Sequence, residues 1–277
     1  MKNFITVIYI LFSFFVSFSQ EKDKNLCELI LETSLKSELY KEKINNVVIE
    51  VGKNFIFFPY KSGVLEKNEK ERLVINLREL DCVTFVENTI AISNLIKSKK
   101  NDFSDFKKEL QLIRYRNGEI KNYSSRLHYF SDWIFENEKN KKVKDITKIL
   151  DGEIYKKNIN FISRNKNKYK GISDENILEE IRNIENNISK RKYYFIPKNK
   201  ISKIKDKIKD GDIIAITLNI KNLDIAHVGI AIWENSKLHL LHASSRMKKI
   251  VISKKTLDNY ILNNKQFTGL MVVRPQF

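Results

Sequence analysis

Leu80-Asp81-Cys82-Val83-Thr84-Phe85-Val86-Glu87-Asn88 puts a cysteine where a helix begins. Asp81 is a good N-cap, and the run from Val83 to Ile96 has a helical pattern, so Cys82 falls in the first turn. Free backbone N–H groups and the helix dipole favour a thiolate there. A thiolate attacks carbonyls, whereas a thiol facing a core merely packs as a small apolar group. A nucleophilic site also needs a base and a group to orient it, so the remaining chain has to supply both.

The N-terminus reads as an export signal. Lys2 is followed by an apolar stretch from Phe4 to Phe15 and by small residues at Ser17 and Ser19, the pattern of a cleavable signal peptide over residues 1–19. The stretch is too short for a comfortable membrane span and no stop-transfer segment follows, so no membrane anchor is expected. Lys24-Asn25-Leu26 before Cys27 lacks the small residues of a lipoprotein cleavage box. The expected mature chain is soluble, periplasmic or secreted, and forms a single domain over residues 20–277. Two cysteines make no disulfide framework, and a Cys27–Cys82 bridge would silence Cys82, so both are expected as thiols.

The formal charge is +17, and loss of Lys2 leaves 50 Lys and Arg against 34 Asp and Glu. The lysines are spread along the chain without a dense arm or a nucleic-acid motif, so no nucleic-acid partner is expected. A general attraction to acidic envelope material remains compatible with this surface.

Helical spacing runs from Lys24 to about Lys43, over Phe103–Leu112, Asp132–Lys142 and Asp174–Lys190, with Asn46–Val51 open between helix and strand. Arg114–Ser131 is dense in Tyr, Arg, Ser and His without a period, which reads as an ordered loop. After Pro197 come apolar runs separated by turn residues: Gly211–Ile216, His227–Trp233, Leu238–Ser244, Ile250–Ile252 and Leu270–Val273. Helices first and strands last predict an α+β fold, N-terminal helices packed on a mainly antiparallel sheet.

Register sorts the histidines. If Asn235-Ser236 is a two-residue hairpin turn, Glu234 faces Lys237, Ala231 faces Leu240 and Gly229 faces His242. His227 and His242 then become diagonal neighbours on one face, and His239 points to the other. Cys82, His227 and His242 thus fit nucleophile, base and orienting group. Taken singly, each histidine also fits an ordinary sheet position. A zinc site from His239, His242 and a carboxylate is disfavoured by the opposite strand faces, and no metal or organic cofactor is expected.

Tyr60, Gly63, Asp81-Cys82, Gly211-Asp212 and His227-Val228-Gly229-Ile230 resemble the NlpC-type, papain-like cell-wall peptidases. Leu77–Cys82, Ile113–Arg116, Ser125–Ile134 and Leu240–Ser244 resemble a narrower secreted branch, the N-acetylmuramoyl-L-alanine amidase-like family. That resemblance implies a papain-like fold and hydrolysis of the amide between N-acetylmuramic acid and L-alanine in murein fragments. It carries the nucleophile, the base and the third polar residue onto Cys82, His227 and His242, and oxyanion or substrate stabilisation onto Tyr60. Ile56-Phe57-Phe58 departs from the family pattern, where a glycine and a small residue are expected. The loop Arg114–Trp133 is read as the specificity element. Arg116 and Arg126 suit stem-peptide carboxylates, Ser125 and His128 add polar contacts, and Tyr129 and Trp133 are placed to stack on a sugar. A monomer acting on muropeptides is expected; alternatives are a stem-peptide endopeptidase of the same fold and a non-catalytic basic envelope-binding module.

Overall fold

The computed structural model describes residues 20–66 and 68–277. The expected signal peptide, residues 1–19, lies outside the described residues. Helical residues 20–36 (α1) open the described chain, followed by α2 (Ile44–Lys53), α3 (Cys82–Lys97), α4 (Phe103–Arg114) and α5 (Phe130–Lys139). Then come β1 (Val143–Asp145), β2 (Glu153–Tyr155), α6 (Phe161–Arg164), α7 (Glu175–Lys190), β3 (Tyr193–Pro197) and α8 (Ile201–Ile204). The chain ends with β4 (Ile213–Leu218), β5 (Ile225–Glu234), β6 (Lys237–Ser244), β7 (Lys249–Ile252), α9 (Leu257–Leu262) and β8 (Phe267–Pro275).

The strands join in one sheet of order β2-β3-β8-β4-β5-β6-β7, with β1 on β8, and every strand pairing is antiparallel. The α+β expectation holds. The 46–51 segment resolves to helix, and Asp174 caps α7 by accepting from the Ile177 N–H at 3.0 Å. Three short strands escaped the sequence reading. β1 and β2 have three residues each, too few to display alternation, and β3 ends on Pro197, which lacks the N–H a ladder needs. α9 was hidden inside the strand series, although the i,i+4 pair Leu257 and Ile261, both fully buried, is its signature.

α3 is the central element. Its residues from Thr84 to Ile96 are all buried, because α2, α4 and β5 pack around it. Most of its polar side chains are therefore committed inside: Thr89 and Ser93 donate to backbone carbonyls four residues back, and Glu87 accepts from Arg114 at 2.7 Å. Its side of the sheet carries Ala215, Val228, Ile230, Leu241 and Met271 in one core. The other face buries Ile214, Ile216, Ala231, Leu240 and Val272 in a second core with Leu257 and Ile261 of α9. This alternation is the period of two expected of strands covered on both sides.

Gly211-Asp212 fastens the start of β4. Gly211 has φ +78°, and a Cβ there would lie 2.3 Å from the Asn45 carbonyl oxygen. Asp212 is fully buried and accepts two hydrogen bonds from Arg274, at 2.8 and 2.7 Å. The pair thereby ties α2, β4 and β8 together, a structural duty for a motif that resembles a site signature.

Candidate active site

The N-terminus of α3 is built by a reciprocal cap. The Asp81 carboxylate accepts from the Thr84 N–H at 2.8 Å, and the Thr84 hydroxyl accepts from the Asp81 N–H at 2.9 Å. The expected N-cap is present, with Thr84 in the place usually taken by Glu or Gln. Cys82 follows as the first helical residue, half-buried, with a free thiol.

Tyr60 is strapped beside it. The Leu80 N–H donates to the Pro59 carbonyl at 3.0 Å, the Lys61 N–H to the Leu80 carbonyl at 3.1 Å, and the Tyr60 N–H to the Lys248 carbonyl at 2.9 Å. The segment before α3 and the loop before β7 hold the Tyr60 backbone from both sides. Phe57, in the stretch where the family pattern led us to expect a glycine, has φ +72° and is 69% exposed. A left-handed aromatic residue at this rim carries a backbone cost that glycine would not.

The histidine register follows the hairpin. Asn235 and Ser236 have φ of 48° and 60°, Glu234 pairs with Lys237 and Ala231 with Leu240. Both turn residues are left-handed, as a type I′ turn requires. His227 Nε2 and His242 Nδ1 are 2.7 Å apart, with the rings edge-to-face at 82°. His239 instead donates from Nδ1 to the Ser253 carbonyl at 2.8 Å. His227 and His242 share a face and His239 faces the other way, as the register argument expected. Groups of three or more His, Cys, Asp or Glu able to hold a metal are not found among the described residues.

Electrostatics corrects one expectation. The helix start predicts a favoured thiolate at Cys82, yet burial first, then the Asp81 charge, pushes the thiol up to about 12. The N–H groups of Val228, Cys82 and Val83 pull the other way and lose. Val228 is the residue after His227 on β5, the strand on which α3 packs. Burial lowers His227 to about 3, with His242 adding to the shift, and lowers His242 to about 4. The resting site therefore holds a neutral thiol and two neutral imidazoles. Burial and the nearby Cys82 and Asp81 raise Tyr60, which keeps its proton for donation.

The Arg114–Trp133 loop is bonded inward. Arg126 is 4% exposed and sits 2.8 Å from Glu66 and 3.3 Å from Glu71, with its guanidinium over the Tyr123 ring. Arg116 pairs with Asp132 at 2.6 Å and Glu136 at 3.4 Å. The Ser125 hydroxyl donates to the Asn122 carbonyl, and His128 Nε2 donates to the Tyr123 carbonyl at 2.7 Å. Tyr129 is buried and donates to Glu185 at 2.7 Å. Trp133 is 0% exposed, stacked on Phe130. The expected sugar stacking on Tyr129 and Trp133 is thus corrected: rings this enclosed present no face to a ligand. A guanidinium already facing two carboxylates is likewise poorly placed to take up a third.

The sequence reading missed Tyr260 of α9. Its ring meets His242 edge-on at 5.4 Å and 74°, and the Cys82 charge contributes to raising its hydroxyl, after burial. The Leu257/Ile261 spacing was the signal that could have found this helix.

The family model for N-acetylmuramoyl-L-alanine amidase-like proteins matches residues 50–270, and the chain belongs to that family. A solved N-acetylmuramoyl-L-alanine amidase from Bacteroides uniformis ATCC 8492 is 36% identical with a TM-score of 0.81, over 85% of this chain and 100% of that one. A Bacteroides fragilis structure provisionally called a xylanase is 37% identical with a TM-score of 0.77, covering 82% and 99%. A Legionella pneumophila protein at 20% identity and TM-score 0.71, covering 94% and 97%, shares the fold. No curated protein matches the chain.

Proposed function

We propose that this chain is a papain-like cysteine amidase that cleaves the bond between the lactyl carbonyl of N-acetylmuramic acid and L-alanine, in murein or its fragments, outside the cytoplasm. The observation that carries the thiol mechanism is the 2.7 Å His227–His242 contact on β5 and β6, next to Val228 of β5, whose N–H lowers the Cys82 thiol against the effect of burial. Because His242 engages Nε2 of His227, Nδ1 is the nitrogen left to exchange a proton with the thiol.

The cycle starts from neutral partners. As the amide carbonyl arrives, the thiol proton passes to His227 Nδ1 while the sulfur bonds to the carbonyl carbon. His242 accepts from the Nε2–H and holds the ring in that tautomer. The carbonyl oxygen becomes an oxyanion, to which Tyr60 donates. The intermediate collapses as His227 returns the proton to the L-alanine nitrogen, releasing the stem peptide and leaving a thioester on Cys82. Water, deprotonated by His227, then attacks the thioester; the sugar acid leaves and the thiol regains its proton. No step calls on a cofactor.

Family membership and the B. uniformis amidase support the choice of bond. A glycosidase would need two carboxylates flanking its scissile bond, and the carboxylate adjacent to Cys82 is Asp81, held by Thr84. Turnover of a defined muropeptide by wild type, by Cys82→Ser and by wild type after iodoacetamide tests the thiol mechanism. Loss in the second and third samples, with activity retained in EDTA, is expected; an active Cys82→Ser protein overturns it.

A further inference from the structure

Buried phenols in this molecule spend their hydroxyls inside it. Tyr115 donates to Glu71, Tyr123 to Glu66, Tyr129 to Glu185 and Tyr155 to the Asp224 carbonyl, at 2.7 to 2.9 Å. Half-buried Tyr169, Tyr194 and Tyr260 have no hydroxyl hydrogen bond among the described residues, and of these three Tyr260 is the one that lies against His242 and close enough to Cys82 to feel its charge. Its ring is half-buried between His242, at 5.4 Å, and Phe267, at 6.2 Å, while its hydroxyl has no hydrogen-bond partner among the described residues. Leu257 and Ile261, fully buried on the same short helix, anchor α9 to the second core and fix where the ring points. Tyr60 is another phenol at this site whose hydroxyl has no hydrogen-bond partner among the described residues.

We infer that Tyr260 is a substrate-contacting residue whose hydroxyl donates to an oxygen of the bound muropeptide, giving the site a second phenol donor beside Tyr60. The inference rests on the amidase reading and deepens it. A phenol packed against the orienting imidazole and left with a free donor is set to pair only when an acceptor enters the cleft. Its raised titration keeps the proton in place across the neutral range. The stated role is distinct from simple support of His242, which would need the ring alone.

Tyr260→Phe and Tyr260→Leu separate the two roles. Tyr260→Phe keeps the edge contact with His242 and removes only the hydroxyl, so kcat/KM on a defined muropeptide should fall roughly five- to ten-fold, the scale of one neutral hydrogen bond. Its melting temperature and its rate of Cys82 alkylation by iodoacetamide should stay at wild-type values. Tyr260→Leu should lose more, with a displaced pH profile as His242 loses its neighbour. A Tyr260→Phe enzyme as fast as wild type overturns the inference and leaves the ring a positioning role. A wild-type enzyme that leaves the muropeptide amide intact overturns the amidase reading instead, and the inference falls with it.

Discussion

Two regions drew attention in the sequence, the cysteine tract with its strand histidines and the aperiodic loop from Arg114 to Trp133, and the structure uses their polar groups in opposite ways. Around Cys82 the hydroxyls of Tyr60 and Tyr260 have no hydrogen-bond partner among the described residues, the thiol is free of a disulfide, and the two histidines are bonded to each other. In the loop, Arg126, Tyr123, His128 and Tyr129 are each paired inside the protein. Density of Arg, Tyr, Ser and His without a period thus marks a buried polar network as readily as a binding surface. Leaving members of such a network unpaired is costly, and here Arg116 Nε, Arg126 Nε and Trp133 Nε1 are buried without a hydrogen-bond partner among the described residues.

That contrast is open to direct attack. Cys82→Ala should lower kcat on the order of 10⁴-fold or more while the protein stays folded, and His227→Ala should match it, since members of one catalytic unit do not contribute independently. Steady-state kinetics with circular dichroism checks both. Arg126→Ala should act on stability: it strands Glu71, which is 7% exposed, and about 3 kcal/mol should be lost in denaturant unfolding. An Arg126→Ala protein with wild-type stability and a raised KM would move the loop back among the substrate contacts and break the comparison.

The pH behaviour of the site sharpens it further. With the thiol pushed up to about 12, the thiolate fraction grows tenfold per pH unit, so alkylation of Cys82 in a Cys27→Ser background should climb tenfold per unit from pH 7 to pH 9. A plateau already present at neutral pH would mean that the helix N-terminus outweighs burial. On the acid side the sign is opposite. A depressed imidazole stays neutral as pH falls through 6.5, so kcat/KM should hold its value there and drop only toward the range of about 3 to about 4 set by His227 and His242. His239→Ala, on the other sheet face and bonded to a backbone carbonyl, should change kcat/KM least of all.

Much of the site was legible because period and turn chemistry are local. Asp81 announced the helix start, and Asn235-Ser236 set a register in which a shift of one residue would have turned His242 away from His227. The net balance at Cys82 was not legible. The helix start is a local feature, whereas the burial that raises the thiol comes from sheet and helices brought together by the fold. The partners of Arg126 were hidden for the same reason: Glu66 and Glu71 lie 60 and 55 positions upstream, and nothing in the loop names them. Tyr260 was missed because its six-residue helix is too short to assert a pattern among strands.

The measurement that bears most directly on the account is mass analysis of the products from a defined N-acetylmuramoyl peptide, with Cys82→Ser as control. The account predicts free N-acetylmuramic acid and an intact stem peptide beginning with an unblocked L-alanine, both absent from the control. Fragments cut within the stem peptide, cleavage at a glycosidic bond, or the same products from Cys82→Ser would contradict it.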